Sequence, residues 1–488
     1  MGRNYSYILV IAILAFGVDS YCQKQGNVWY FGNEAGVDFN SGSPVAITDG
    51  QLGLLSTPNQ GTTAISDSSG YLLFYSDGVK VWNALHDTMP NGTGLFGSEY
   101  STQSALIIPA PENPNRYFYL FTVSAATPSY PTEGLSYSKI DMTLDGGNGD
   151  VMATEKNIML ATAMPSRLAA TRHQNGSDYW ILSHKHNTDE FWAFLLTDAG
   201  ITDTVISAIG SVHGSGFPSS SGQVKFSPNG QKVVIGTANI LNILELFDFD
   251  NATGALSNAL DLDVPNADMA NTYGVEFSPD NNKLYASGRS SSGIVYSMLW
   301  QYDLTAGGGD ILAINASMYL VFEDFAGLVG GVGLQLGPDD KIYTVSLNDQ
   351  HYLSSIENPN ALGSACNWVD LSVYLNGKQA YISVPSFVAN YDYSNTISDF
   401  SEIKSDKTEW SPRTRLFPNP ASESCKVEFS DLAEVARITI LDGLGRTTME
   451  IGDVTENLDI DLKWLQPGIY IVLIEYLDSK DQLLLVVR

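Results

Sequence analysis

Short apolar runs separated by polar turns recur along most of the chain, and they predict β-strands. Residues 222–250 read GQVKFSPNGQKVVIGTANILNILELFDFD, and residues 274–303 read GVEFSPDNNKLYASGRSSSGIVYSMLWQYD. Each has an apolar strand, a Ser-Pro-Asn or Ser-Pro-Asp turn, a second strand of β-branched and aromatic residues, a loop and a third strand. Proline presets φ at the first turn position, so the turn joins antiparallel strands.

Further copies of this unit lie on both sides of the first two. Residues 331–347 form a weaker copy, in which Gly337 replaces the serine of the turn. Similar patterns toward the N-terminus read LAATRHQNGSDYWILSHKHNTDEFWAFLLTD, ALIIPAPENPNRYFYLFTVS followed by LSYSKIDMTL, and TTAISDSSGYLLFYSDGVKVWNAL. Six units with a period of about 50 residues and three or four strands each predict a β-propeller.

A seventh blade is predicted from the two ends of the repeat region. NVWYFG and VDFN, within residues 27–40, would pair near YISVPSFVANY, residues 381–391. Such closure protects edge strands that would otherwise template aggregation. We therefore predict about seven blades, with six or eight as alternatives and an array of β-sandwiches as the competing architecture.

The pattern changes after the repeats. Residues 394–414 lack apolar periodicity and are rich in Ser, Thr, Asp and Lys, which is typical of a linker. Beyond them, KVEFS, ARITILDGLGR, LDIDLKWL, GIYIVLIEYLD and QLLLVVR predict a small Ig-like β-sandwich. The chain is thus predicted to be all-β, with a propeller over residues 23–393, a linker over 394–414 and a second domain over 415–488.

The N-terminus predicts a secretory signal peptide over residues 1–22. Arg3 precedes an apolar run from Ile8 to Phe16, followed by small and polar residues. No segment approaches about 20 continuous apolar residues, so no integral membrane segment is predicted. Cleavage beside Cys22 is favoured over lipidation, because Tyr21 stands where lipidation signals have a small residue.

Charge and cysteine content narrow the possible partners. The 54 acidic and 25 basic residues give a net charge of −29, so nucleic acid and anionic lipid surfaces would repel the chain. The acidic surface is interpreted as a source of solubility. Cys366 and Cys425 fall in different predicted domains, so two separate thiols are favoured over a disulfide.

Candidate metal sites are weak. His184 and His186 alternate on a predicted strand and could hold zinc with a third ligand, but no partner lies at a suitable spacing, so two surface histidines are favoured. Asp145 to Asp150, DGGNGD, offers clustered oxygen ligands without the EF-hand spacing, so a Gly-rich hairpin loop is favoured. We expect no cofactor and no metal.

Catalytic residues cannot be assigned from the sequence. Three carboxylates could converge on a propeller axis as general acid and base, although the sequence does not place them within reach of one another: Glu276, Asp303 and Glu323. Four tryptophans could stack on sugars, but most are expected to pack between blades: Trp82, Trp180, Trp192 and Trp300.

Two resemblances concern the repeat region. The turns Phe226-Ser227-Pro228-Asn229-Gly230 and Phe277-Ser278-Pro279-Asp280 resemble those of WD40-like and TolB-like propellers. WYFGNEAGVDFNSGSP, LLFYSDGVKVWNALHDTMPNGTGL and STQSALIIPAPENPNRYFYLFTV together resemble the N-terminal region of secreted propeller proteins of Bacteroidetes, many of them gliding-associated or surface proteins. The resemblance implies a fold and says nothing about activity.

The C-terminal domain resembles the type A C-terminal sorting domain of the type IX secretion system. Three ordered motifs carry the resemblance: Phe417, Pro418, Asn419 and Pro420; Asp442, Gly443, Gly445 and Arg446; and Pro467, Gly468 and Tyr470. The resemblance implies contact with that secretion machinery, cleavage near the linker, and a location at the outer cell surface or outside the cell. Asp87-Thr88-Met89 and Asp203-Thr204-Val205 resemble an O-glycosylation motif of Bacteroidetes secreted proteins, with Thr88 and Thr204 as acceptors.

These observations favour an exported propeller that binds a glycan or protein, as in adhesion or recognition, through loops on one face of the ring. The alternative is an extracellular propeller enzyme, resembling a glycoside hydrolase or lyase, that acts on a polysaccharide.

Overall fold

The chain forms two compact units, Met1–Ser394 and Asn395–Arg488. The structure is a computed structural model. It describes residues 24–53, 60–125, 134–164, 166–214, 221–237, 243–264, 269–290, 296–325 and 332–389 of the first unit, and 414–417, 421, 424–429, 435–441, 447–452, 458–463, 465, 468–476 and 480–487 of the second. The predicted signal peptide lies outside the described residues.

The described residues of the first unit form seven antiparallel sheets in chain order, numbered here as blades 1 to 7. Blade 1 is β1 (Val28–Phe31), β2 (Ala35–Asp38) and β3 (Val45–Ile47); blade 2 is β4 (Thr63–Ser66), β5 (Leu72–Ser76), β6 (Lys80–Asn83) and β7 (Thr88–Thr93); blade 3 is β8 (Ala105–Pro109), β9 (Tyr117–Val123), β10 (Leu135–Asp141), β11 (Asp150–Val151) and β12 (Ile158–Ala161). Blade 4 is β13 (Ala169–Arg172), β14 (Tyr179–His184), β15 (Thr188–Thr197) and β16 (Gly200–His213); blade 5 is β17 (Val224–Phe226), β18 (Lys232–Gly236), β19 (Leu244–Asp250) and β20 (Ala255–Asp261). Blade 6 is β21 (Met269–Phe277), β22 (Lys283–Ser290), β23 (Tyr296–Asp303) and β24 (Tyr319–Phe325); blade 7 is β25 (Leu334–Leu336), β26 (Ile342–Val345), β27 (Tyr352–Ile356) and β28 (Trp368–Tyr374).

Helices are few and short. The described residues contain one α-helix, α1 (Ile311–Ala316), whose first turn is capped by the Asp310 side chain. Four 3₁₀ turns complete the helical elements: Asp145–Gly147, Ala153–Glu155, Ala306–Gly308 and Gly363–Cys366.

Hydrophobic packing between successive blades closes these sheets into a ring. Each buried apolar cluster of the first unit draws its side chains mainly from two neighbouring blades, and the seven clusters join blades 1 and 2, 2 and 3, 3 and 4, 4 and 5, 5 and 6, 6 and 7, and 7 and 1. The last cluster packs Trp29 and Phe31 of blade 1 against Tyr343 of blade 7. The predicted propeller and its count of seven blades are therefore confirmed.

The Ser-Pro turns form as the sequence predicts. In blades 5, 6 and 7 they link the first strand of the blade to the second, and the residue after the turn centre takes a positive φ in each case, Gly230, Asn281 or Asp340. The Ser227 and Ser278 hydroxyls accept hydrogen bonds from the Lys232 and Lys283 backbone N–H groups, which closes the first two turns. Glycine, asparagine and aspartate tolerate this backbone conformation better than other residues.

The blade predicted from the two ends of the repeat region is blade 1 of the structure, and it is built differently from the prediction. Blade 1 consists of β1 to β3 alone, and residues 381–389 form no strand in it. Residues 379–389, named here the strap, instead make isolated backbone hydrogen bonds to blades 1, 2, 4 and 7. Pro385 has no N–H group and so cannot continue a ladder of strand hydrogen bonds, which explains why this apolar segment adds no strand.

In the second unit, the described residues form two sheets over one hydrophobic core. The first sheet is β29 (Thr414–Phe417), β30 (Ser424–Phe429) and β33 (Leu458–Asp461); the second is β31 (Val435–Leu441), β32 (Thr447–Gly452), β34 (Gly468–Tyr476) and β35 (Lys480–Val487). Val427 and Ile460 of the first sheet share this core with Ile440 and Val472 of the second. An Ig-like strand arrangement stays a prediction.

Candidate functional site

A cavity of about 710 Å³ lies among the first strands of several blades. Pro228, Pro279 and Pro338, from the equivalent turns of blades 5, 6 and 7, line it on one side. Its other apolar lining comes from blades 1, 4, 5 and 7 and from the strap: Trp29, Phe39, Leu168, Phe226, Leu336, Phe387 and Val388. This size and this largely apolar lining are typical of small-molecule sites.

A buried polar cluster forms part of the cavity lining. Lys225 Nζ lies 3.0 Å from Glu276 Oε2 and also donates a hydrogen bond to Gln335 Oε1. All three side chains belong to residues that are less than one-tenth exposed. The Glu276 carboxylate further accepts hydrogen bonds from the backbone N–H groups of Phe277 and Leu336. A buried charge pair with these additional hydrogen bonds is well compensated for its loss of water.

The sequence contains a signal for this cluster that the interpretation above overlooked. Lys225, Glu276 and Gln335 occupy the same place in three repeats, as the middle residue of VKF, VEF and LQL directly before the Ser-Pro or Gly-Pro turn. A polar residue between two apolar ones in the first strand of three successive blades points to a shared position in the ring.

Buried glutamines also link the first strands of different blades. Gln103, just before β8, donates a hydrogen bond to the Val224 carbonyl and accepts one from the Val224 N–H. Gln223 Oε1 accepts hydrogen bonds from the backbone N–H groups of Val275 and Leu334, in blades 6 and 7. These amides occupy strand edges that would otherwise be left unpaired, and they fill the interior of the ring with side chains.

The three carboxylates considered for acid–base catalysis do not converge. Glu276 lies on β21, where it lines the cavity, whereas Asp303 ends β23 and bonds Lys283 at 3.1 Å. Glu323 lies on β24, the fourth strand of blade 6, and is exposed. Since first and fourth strands lie at opposite edges of a blade, Glu276 and Glu323 do not lie together.

The expectation of two surface histidines is wrong for His184. Its ring is buried, stacks on His213 with centroids 4.1 Å apart, and meets Phe191 edge to face. His186 follows the end of β14 and is only partly buried. In the part of the chain that the structure describes, no group of three His, Cys, Asp or Glu side chains is arranged to hold a metal.

His213 belongs to a buried polar cluster between blades 4 and 5. Arg167 Nη1 lies 3.1 Å from His213 Nδ1, and His213 Nε2 lies 3.1 Å from Glu245 Oε2. An arginine can only donate, so Nδ1 is the acceptor and Nε2 carries the proton toward Glu245. Burial, together with the Arg167 charge, lowers the pKa of His213 to about 2, so the contact with Glu245 joins a neutral imidazole to a carboxyl group.

We predict that the free energy of unfolding falls as the pH drops below about 6.5. Burial, then His213 and Arg167, hold the pKa of His184 well below its usual value, and His213 behaves likewise. Over this pH range the unfolded chain therefore binds two more protons than the folded chain. Each such proton lowers the free energy of unfolding by about 1.4 kcal/mol per pH unit. Urea unfolding at pH 7.5 and 5.5 should show a loss of about 2–3 kcal/mol.

A variant that removes one imidazole isolates this effect. His184→Phe keeps a ring against His213 and Phe191, and it should roughly halve the loss between pH 7.5 and 5.5. Burial raises the pKa of Glu245, which offsets part of the loss at lower pH, so the comparison ends at pH 5.5. An unchanged pH dependence in this variant would contradict the assignment.

The remaining sequence candidates have structural surroundings. Asp150 accepts hydrogen bonds from the Asn91 backbone and side chain and so ties β11 to blade 2. Trp82, Trp180 and Trp300 are buried in clusters between blades, as expected. Trp192 is partly buried, and its Nε1 donates to Glu190.

Cys366 and Cys425 are separate thiols, as predicted. Cys366 is buried in the cluster between blades 6 and 7, and Cys425 in the core of the second unit. Thr88 and Thr204 are both exposed, on the fourth strands of blades 2 and 4.

Only part of the sorting-domain motif lies within the described residues. Phe417 ends β29, Gly468 begins β34, and Tyr470 contributes to the core of the second unit. The other motif positions lie outside the described residues: Pro418, Asn419, Pro420, Asp442, Gly443, Gly445, Arg446 and Pro467. Within the described ranges, no helix is long and apolar enough to cross a membrane.

Fold and sequence together define a β-propeller followed by a secretion-sorting domain. Residues 415–487 match the family described as the secretion system C-terminal sorting domain. This confirms the resemblance carried by the three motifs, and it indicates export to the outer surface or the surroundings of the cell. No curated protein matches the chain.

Several solved structures share weak similarity with the chain. The periplasmic gluconolactonase of Pseudomonas aeruginosa is 14% identical over 83% of this chain and 98% of that chain, with a TM-score of 0.35. The hydrazine synthase of Kuenenia stuttgartiensis is 11% identical over 63% and 79%, with a TM-score of 0.38. The Dos1 propeller is 10% identical over 64% and 83%, with a TM-score of 0.33. Similarities of this size say nothing about activity or ligand.

Proposed function

We propose that this chain is an exported recognition protein, in which the propeller binds an extracellular glycan or protein and the C-terminal domain serves export. The sorting-domain match supports the export half of this proposal. The division into two compact units near Ser394 supports a removable C-terminal part, with residues 23–393 as the propeller, 394–414 as the linker and 415–488 as the sorting domain. The type IX secretion machinery would then be the partner of the second unit.

The observation that favours binding is the cavity lined by the turn prolines of blades 5, 6 and 7. Its position inside a ring of packed blades gives it a rigid frame. Residues 54–59, 126–133, 215–220 and 326–331 lie outside the described residues. The cavity is thus the site that the described residues favour.

Binding without turnover is favoured over catalysis because of the way in which Glu276 is held. In the described residues its carboxylate only accepts hydrogen bonds, from the Lys225 ammonium and from the N–H groups of Phe277 and Leu336. General acid catalysis needs a carboxylic acid that gives up a proton, and retaining or inverting glycosidases need a second carboxylate at a set distance. Asp303 and Glu323, the other two carboxylates considered, lie on β23 and β24.

We also propose that Thr88 and Thr204 carry O-linked glycans in the exported protein. Both threonines are exposed. Met89, the third residue of the first motif, is buried in the cluster between blades 2 and 3. Exported protein whose Thr88 and Thr204 peptides have unmodified masses would refute this.

A combined binding and turnover assay tests the proposed function. The purified chain is applied to glycan and protein arrays, and each captured ligand is then incubated with it and analysed for shorter products. We expect saturable capture and an unchanged ligand. Products that form with the native chain and disappear in Glu276→Gln would establish the enzyme instead.

Leu336→Trp and Tyr71→Ala locate the site in the same assay. Leu336 lines the cavity, and an indole there would fill it, whereas Tyr71 is 75% exposed on the surface and does not line it. Capture should weaken at least about tenfold in the first variant and persist in the second, given that most binding energy resides in a few central contacts. Equal capture by the two variants would show that the ligand binds outside the cavity.

A further inference from the structure

We propose that the cavity takes a neutral hydroxyl group on an apolar body, an alcohol or a phenol, with the hydroxyl between Lys225 and Glu276. This inference rests on the proposed function, since it names the chemistry that the same site recognises. It follows from the hydrogen-bonding capacity left on two buried side chains and from the character of the cavity walls.

The Lys225 ammonium has a hydrogen to spare. An ammonium group has three donors. Among the described residues, its side chain finds two acceptors, Glu276 Oε2 at 3.0 Å and Gln335 Oε1. Lys225 lines the cavity and is only 6% exposed. The third hydrogen of its ammonium therefore needs an acceptor that the fold itself does not provide.

The Glu276 carboxylate has room for one more donor. Its two oxygens offer about four acceptor positions. Three described donors occupy them, the Lys225 ammonium and the backbone N–H groups of Phe277 and Leu336. A hydroxyl group both accepts and donates, so one such group satisfies both side chains.

Charged head groups fit this pair less well than a neutral one. A carboxylate or phosphate would approach Lys225 but place a second negative charge beside Glu276, and an ammonium would do the reverse beside Lys225. Inside a cavity of low polarity, such like-charge contacts are unfavourable. Lys24, Asp339 and Asp340 also line the cavity, so its remaining charged side chains carry a net negative charge that further disfavours anions.

The walls indicate the rest of the ligand. Prolines from three turns and the side chains of Phe226, Leu336 and Val388 form a largely apolar lining. Beyond Lys225, the buried side chains of Gln103 and Gln223 bond the first strands of blades 5, 6 and 7. A ligand therefore enters with its hydroxyl end and does not thread through the ring.

Three probes that share one apolar chain test the head group. 1-Octanol, octanoate and octylamine are titrated into the full chain and followed by calorimetry at pH 7.5. We expect octanol to bind at least about tenfold more tightly than either charged probe. Equal or tighter binding of octanoate or octylamine, or no binding of octanol at millimolar concentration, would overturn the inference.

Two variants place the hydroxyl at the named residues. Lys225→Met with Glu276→Gln removes both charges together and keeps an acceptor for the Leu336 N–H, which avoids leaving a lone buried charge. This double variant should lose the preference for octanol, and Leu336→Trp should lose octanol binding altogether, while Tyr71→Ala keeps both. Thermal melting confirms that each variant is folded, and octanol selectivity that survives in a folded double variant would contradict the assignment.

Failure of this inference is distinguishable from failure of the proposed function. Array ligands that are still captured, and equally well by Leu336→Trp, together with no octanol binding, would reject the hydroxyl site and leave a recognition protein that binds elsewhere. Ligand turnover that depends on Glu276 would reject the recognition function, whatever the alcohols show.

Discussion

A chain that ends at Ala389 should fold into a cooperatively melting propeller, and a chain that ends at Lys378 should not. The eleven-residue difference is the strap, residues 379–389. Its backbone accepts hydrogen bonds from Asn33 and Gly333 in blades 1 and 7, and donates them to residues of blades 2, 4 and 7. The donated bonds run from Ser386 to Thr62, from Ala389 to Ala170 and from Ala380 to Gln350.

The size of the expected effect follows from what the strap buries. Val384, Phe387 and Val388 are buried in clusters that involve blades 1, 3, 4 and 7. Full burial of such side chains contributes about 1.5–3 kcal/mol each, and each backbone hydrogen bond about 1 kcal/mol. Most domains are stable by only about 5–15 kcal/mol, so loss of the strap should remove most or all of the stability.

A point variant in the intact chain tests the same contact. Gly32 has a φ of +58°, and a Cβ there would lie 2.1 Å from the Gln379 carbonyl oxygen. Gly94 has a φ of +69° with open space around it, so Gly94→Ala shares the backbone strain without the clash. Gly94→Ala should lower the free energy of unfolding by about 1–2 kcal/mol and Gly32→Ala by clearly more.

Urea unfolding of both variants gives the comparison. Equal losses in Gly32→Ala and Gly94→Ala, or a stable propeller without residues 379–389, would show that the ring does not depend on the strap.

The blades were predictable because their signals are local. In blades 5, 6 and 7 each first turn, such as Ser227 to Gly230, combines proline with a residue that accepts a positive φ, and the strands beside it alternate within a few residues. Six copies of a local pattern of strands and turns, with the strands at the start of the repeat region, give the ring. The closure was predicted at the correct place in the chain but with the wrong structure, since the strap pairs with one residue at a time and has no periodicity to detect.

The candidate site was only partly predictable. Glu276 was considered for its charge, but its partner Lys225 lies in the neighbouring repeat, and only alignment of the repeats shows that the two are equivalent. His184 was expected at the surface because no third metal ligand lies at a suitable spacing in the sequence. Its ring packs against Phe191 and His213, which lie on the next two strands of the blade, so no short stretch of sequence reveals its burial.

Removal of residues 394–488 should abolish export while leaving the propeller folded. The sorting-domain match at residues 415–487 supports this role for the second unit, whose own core includes Ile440, Val472 and Leu485. In a host with the type IX secretion system, the native protein should reach the outside, whereas the truncated protein should cross the inner membrane and stay in the periplasm.

A variant that unfolds only the second unit tests the same role without shortening the chain. Ile440→Asp places a charge in that core, which is expected to unfold the unit because a buried unpaired carboxylate is strongly destabilising. It should block export as the truncation does, whereas Tyr71→Ala on the propeller surface should not. Truncated protein found outside the cell at the same level as the native protein would show that the second unit is not required for export.

The intact mass of the exported protein tests the division of the chain into a working propeller and a removable sorting domain most directly. The strap must remain for the ring to stay closed, and the sorting domain must be gone if it serves export alone. We predict a C-terminus after Ala389 and before Leu416. A mature external form that still ends at Arg488, or one that ends before Ala389, would contradict this account.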